Sequence, residues 1–151
     1  YRNPYQDRFD LGLGLGGVFA TPQLQSGLPM VNGKLRMLGQ VTDRLGLGID
    51  LDMSSMVFVN HATANAVVSF DLLADPEMAL RPYMSLGGGA LHVYEDGQHF
   101  LGPAVSARAG IELKPISWLG LALEGGGVAG ADDGNTMVVP YVGGTLSLYL
   151  L

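Results

Sequence analysis

The chain has 151 residues, a length that suits one domain, and its formal net charge of −6 excludes the basic footprint of a nucleic-acid reader. Charged residues make up only 15% of it, and cysteine is absent, which excludes an ordinary soluble surface, a disulfide scaffold and a cysteine-based zinc site. A membrane-spanning helix needs about 20 predominantly apolar residues, and the uncharged stretch Leu11–Gly33 is broken by Pro22, Pro29 and several glycines.

A period of two runs through the whole sequence instead. In Phe9–Ala20 the odd positions read Phe9, Leu11, Leu13 and Leu15, and the even ones Asp10, Gly12, Gly14 and Gly16. A helix would scatter those leucines around its axis, whereas a strand places them on one face. The same alternation predicts further strands over Gly33–Val41, Leu45–Met53, Asn65–Leu72, Leu80–Val93, Val105–Lys114, Trp118–Val128 and Val138–Leu150. The connections alternate too. Thr21–Asn32, Ser54–Ala64, Tyr94–Ala104 and Ala129–Asn135 read as long loops, and Thr42–Arg44, Leu73–Ala79 and Pro115–Ser117 as short turns. Eight strands in such a meander close into a small barrel with no free edge. The whole of 1–151 reads as one all-β domain, an eight-stranded antiparallel up-and-down barrel, with 1–8 as a short N-terminal periplasmic tail.

The composition of the two faces decides which one is outside. One phase is Gly, Ser and Ala punctuated by single charges of both signs: Asp10, Asp50, Asp52, Asp71, Glu112 and Glu124 against Lys34, Arg36, Arg81 and Arg108. Small residues suit a narrow interior, and charges there are expected to pair as a lumen network, Arg108 and Glu112 both pointing inward from one strand. The other phase carries Leu11, Leu13, Leu15, Leu47, Ile49, Leu51, Val68, Phe70, Ile111, Leu121, Leu123, Leu146 and Leu148. That is the composition of a lipid-facing wall, so the predicted barrel is transmembrane. Phe9, Trp118 and Tyr149 fall at the short-turn end, where interfacial rings are expected. A soluble ligand-binding barrel is the alternative, and it would turn Leu11, Leu13, Leu47 and Leu121 inward.

The Leu-Gly strands, the strand count and the openings Arg81-Pro82-Tyr83 and Val139-Pro140-Tyr141 resemble bacterial outer-membrane β-barrels of the OmpA/OmpX type, as does the glycine-rich Tyr83–Gly89. The final strand, with Gly143, Leu146, Leu148 and Leu150, resembles the C-terminal signal read by the barrel-assembly machinery, with Leu151 where such strands usually carry Phe or Trp. The resemblance implies a place in the cell outer membrane among lipid and lipopolysaccharide. It also implies a structural or interaction role: four exterior loops offered to a protein partner or a neighbouring barrel in an envelope complex, around a narrow plugged lumen.

Some small barrels of this kind modify lipid A, which makes an enzyme the other alternative. Ser54, Ser55, His61 and Thr63 in the second connection, with Asp71 beyond, supply the residue types of a nucleophile, a base and an orienting acid. His61-Ala62-Thr63-Ala64-Asn65 loosely resembles the His-x-Ser-Asn pattern of lipid A deacylases, with Thr for Ser and one extra residue. An ordinary polar loop is the reading preferred, with no catalytic residue. His92 and His99, near Glu95 and Asp96, read as solvated loop residues, and Asp132-Asp133-Gly134-Asn135 reads as a turn lacking EF-hand spacing. Gly12-x-Gly14-x-Gly16-Gly17 precedes no helix that could hold a pyrophosphate. Neither a metal nor a cofactor is expected.

Overall fold

The computed structural model describes residues 9–18, 30–56, 59–73, 79–95, 97–116 and 118–150. Eight strands follow one another: β1 Phe9–Val18, β2 Met30–Gln40, β3 Leu45–Met56, β4 Val59–Asp71, β5 Leu80–Glu95, β6 Gln98–Ile116, β7 Leu119–Asp132 and β8 Asn135–Leu150. Each pairs antiparallel with its sequence neighbour, and β1 pairs with β8 from Phe9↔Leu150 to Val18↔Tyr141 to close the ring. Every strand therefore has two partners, and the barrel leaves no edge.

The alternation read from the sequence becomes an inside and an outside. Leu123 is 70% exposed on the outer wall, and Glu124, the next residue, is 2% exposed in the lumen. Leu13, Leu15, Leu47, Ile49, Leu51, Phe70, Ile111, Leu121 and Leu146 are likewise exposed, while Leu11, Val68 and Leu148 share that wall half-buried. A soluble barrel would turn these residues inward, so the arrangement is inside out.

The strands run further than their apolar stretches, and three of the four expected long loops are corrected accordingly. Ser54–Ala64 is mostly strand, with β3 reaching Met56 and β4 starting at Val59. Tyr94–Ala104 holds the end of β5 and the start of β6, and Ala129–Asn135 reduces to a hairpin turn at Asp133 and Gly134. Of the expected connection Leu73–Ala79, residues 74–78 lie outside the described residues, between the end of β4 at Asp71 and the start of β5 at Leu80. The physical reason is that a backbone ladder continues wherever alternation continues, even after the outward residues cease to be large and apolar, as in Asn60, Ala62 and Ala64 alternating with inward His61, Thr63 and Asn65. The Asp133-Gly134 turn has both residues at positive φ, 43° and 84°, the conformation a two-residue hairpin of this type requires. The expected loop Thr21–Asn32 up to residue 29, the tail 1–8, Asp96 and Leu151 lie outside the described residues, as do the side chains of Asp10 and Glu95.

Close packing of the wall explains particular glycines. A Cβ on Gly48 would stand 1.9 Å from the Met37 carbonyl oxygen of β2, so only hydrogen fits. Gly110 lies opposite Tyr83, and a Cβ there would stand 2.9 Å from the Tyr83 ring, so this glycine makes room for an aromatic in the lumen. Gly48→Ala is expected to force β2 and β3 apart locally, costing about 1–3 kcal/mol as other overpacking substitutions do. A lowered temperature for the loss of the fast-migrating folded band on SDS gels would reveal it, and an unchanged temperature would refute it.

Candidate functional site

The middle of the lumen is filled by ionic side chains from four strands. Lys34 and Arg36 come from β2, Asp50 and Asp52 from β3, Arg108 from β6 and Glu124 from β7, each no more than 5% exposed, and Tyr83 of β5 joins them. The period of two places these inward residues at one depth because antiparallel register aligns them: Arg36 pairs with Asp50, and Lys34 with Asp52.

Three cations face three carboxylates. Arg36 grips Asp50 with two hydrogen bonds, Nε to Oδ1 and Nη2 to Oδ2, both 2.9 Å. Such a planar fork on a carboxylate is the strongest ion-pair geometry available to a side chain. Arg108 bridges the two aspartates, donating to Asp50 Oδ2 at 3.2 Å and to Asp52 Oδ2 at 2.5 Å. Lys34 donates to Glu124, which also accepts from Tyr83 Oη at 2.6 Å. Thr63 Oγ1 donates to Asp52 at 3.2 Å. Tyr141 offers its ring face to Arg108, with the guanidinium 5.0 Å from the centroid. Opposite charges so arranged offset the desolvation that an isolated ion would suffer in a narrow interior.

The remaining expected lumen charges sit nearer the short-turn end. Asp71 and Arg81 form an ion pair, and Glu112 accepts from Tyr149 Oη with Lys114 Nζ 3.7 Å away. Arg108 and Glu112 both point inward but engage different partners. Tyr149 is a correction: it is 8% exposed and lies inside the barrel, not in an interfacial girdle. Its neighbours Leu148 and Leu150 take the outer wall, so parity sends Tyr149 inward. Phe9 and Trp118 are exposed at that end. Around Arg81, Tyr83, Glu112 and Tyr149 the lumen leaves a cavity of about 40 Å³.

Towards the other end, the inward phase changes character on β5–β8. Leu91, Val93, Ala104, Val128, Val139 and Tyr141 form a buried apolar cluster, with Phe100 and Met137 packed against it. Sequence reading missed this cap and the inward Tyr149, although extending the inward parity of Ser85 along β5, Arg108 along β6, Glu124 along β7 and Ser147 along β8 would have found them.

The hydrolase candidates are only partly brought together. Ser54 Oγ lies 3.0 Å from His61 Nδ1, yet both residues are inward and at most 4% exposed. Asp71 is committed to Arg81 at the opposite end, and Thr63 to Asp52. Ser55 is exposed and donates to Asn60 at 2.6 Å. Among the described residues no group of three or more His, Asp or Glu side chains is placed to hold a metal.

No protein-family model matches the chain. No curated protein matches its sequence either. Solved structures do match its fold. Neisserial surface protein A superposes with a TM-score of 0.71 at 7% identity, covering 93% of this chain and 95% of that one. The N-terminal β-barrel domain of Pseudomonas aeruginosa OprF gives 0.69 at 16% identity, over 96% and 98%. Ail, the attachment invasion locus protein of Yersinia pestis, gives 0.54 at 11% identity, over 95% and 99%. The chain thus has the fold of small eight-stranded outer-membrane β-barrels, an architecture in which the apolar outer wall faces lipid.

Proposed function

We propose that this protein is an integral outer-membrane barrel with a plugged lumen and a structural or interaction role, presenting its long hairpins to a protein partner or an envelope complex. The observation that carries the reading is the charge-balanced network of Lys34, Arg36 and Arg108 with Asp50, Asp52 and Glu124, which occupies the lumen and is backed by the apolar cap. A diffusion pore needs a continuous aqueous path, and an eight-stranded barrel is only wide enough for its own side chains.

The surface on offer lies beyond the lipid. The 16 residues of β5, at a rise of about 3.3 Å and a tilt of about 40°, span roughly 40 Å along the barrel axis, against an apolar band of about 25 Å. The β5–β6 hairpin therefore projects past the hydrocarbon as a two-stranded ribbon, in place of the long loop its composition suggested. Lipid and lipopolysaccharide are the surroundings of the wall, and the C-terminal Gly143, Leu146, Leu148 and Leu150 pattern on β8 is its signal to the assembly machinery.

Photo-crosslinking in the native envelope tests this reading. A crosslinker at the hairpin position Gln98 is expected to give a discrete protein adduct, and one at Leu47 on the wall only lipid adducts. The interaction role fails if Gln98 gives no protein adduct. The plugged lumen fails if the purified barrel conducts steadily in a planar bilayer.

A further inference from the structure

We propose that the outer face of the β5–β6 hairpin is a binding site for a divalent transition-metal ion, an open chelate formed by His92 Nε2 and His99 Nδ1. The two nitrogens stand 3.4 Å apart. Two imidazole ligands at about 2.0–2.1 Å from a tetrahedral ion stand about 3.3–3.4 Å from each other, so the pair already has the spacing that chelation requires.

The backbone holds the pair in place. His92 lies opposite Leu101 and His99 opposite Tyr94, which puts the histidines on a cross-strand diagonal of one ladder, both on the outward side. Rings on such a diagonal reach one another, and here their centroids are 5.7 Å apart. Tyr94, the direct cross-strand partner of His99, packs against its ring, centroid to centroid 4.8 Å, and so restricts how that ring can turn. Ligand rings held by outer neighbours bind metal better than free ones.

The surroundings admit a cation. Across the sheet, Asn60, Ala62, Tyr94 and Leu101 share this outward patch with the pair, and none of them carries a positive charge. His99 is exposed to solvent. The net charge of −6 favours the approach of cations. Imidazole selects Zn²⁺, Cu²⁺ and Ni²⁺ over Ca²⁺ and Mg²⁺, which require oxygen ligands. Two ligand positions of a tetrahedral ion stay open to water or to a donor from a neighbouring molecule.

The test uses the full chain refolded in phosphatidylcholine nanodiscs and titrated with Cu²⁺, read by electron paramagnetic resonance. The first equivalent is expected to show coupling to two imidazole nitrogens and to be displaced by Zn²⁺. His92→Ala and His99→Ala should each reduce the pattern to one nitrogen and weaken binding about tenfold or more, while His61→Ala, inside the lumen, leaves it unchanged. The heat-dependent gel shift confirms that each variant is folded, and His99→Ala alters an exposed side chain. An unchanged spectrum in the folded His92→Ala or His99→Ala protein overturns the site, and so does a one-nitrogen pattern in the unsubstituted chain.

Discussion

Arg108→Leu is expected to lower the stability of the barrel by about 3–5 kcal/mol, the usual consequence of removing one member of a buried ion pair. Arg108 supplies hydrogen bonds to both Asp50 and Asp52, and both carboxylates are 1% exposed. Asp50 keeps Arg36, but Asp52 is left with the Thr63 hydroxyl alone, so a carboxylate stays in the lumen without a cation. The cost comes from the charge left behind more than from the bond lost. Arg108→Leu combined with Asp52→Asn should therefore recover a large part of the stability, because the remaining charges balance again. Denaturant titration of the refolded barrel measures all three variants. Strict additivity of the two single substitutions would refute the coupling, since neighbours in one network do not behave independently.

On the opposite face, Leu121→Arg is expected to destabilise the inserted barrel by about 2–4 kcal/mol, the penalty for a cationic side chain near the bilayer midplane. Leu121 is exposed on the wall and pairs laterally with Leu113 and Leu146, so its surroundings are apolar on both sides. The same change at Ser55, exposed beside the β3–β4 hairpin, should be nearly neutral because that position lies outside the hydrocarbon. The contrast is what identifies the solvent of the wall. Refolding equilibria in lipid vesicles measure both variants, and equal penalties at Leu121 and Ser55 would contradict a transmembrane barrel.

The fold was legible because lipid and lumen impose opposite chemistries on alternate residues. Leu123 beside Glu124, or Leu51 beside Asp52, states that alternation within two positions, and the pattern recurs in all eight strands. Strand ends were less legible. Towards the β3–β4 hairpin the outward phase of β4 passes from Phe70 and Val68 to Ala64, Ala62 and Asn60, and the large apolar side chains that marked a strand give out while its hydrogen bonds continue. For the same reason Ser54 and His61 read as loop residues and prove to be inward-facing members of β3 and β4.

The sequence alone determined the architecture, the identity of the wall and the set of charges that had to share the lumen, since each follows from a local period of two. Partner choice was decided only in three dimensions. Arg108 finds Asp50 and Asp52 rather than Glu112 four residues along its own strand, because residues on one strand are separated along the axis while register and closure bring distant strands face to face. Closure likewise seats Tyr149 against Glu112, and hairpin pairing sets His92 against His99. None of these distances is encoded within a single strand; they arise when eight alternating segments curl around a space too narrow for their side chains to avoid one another.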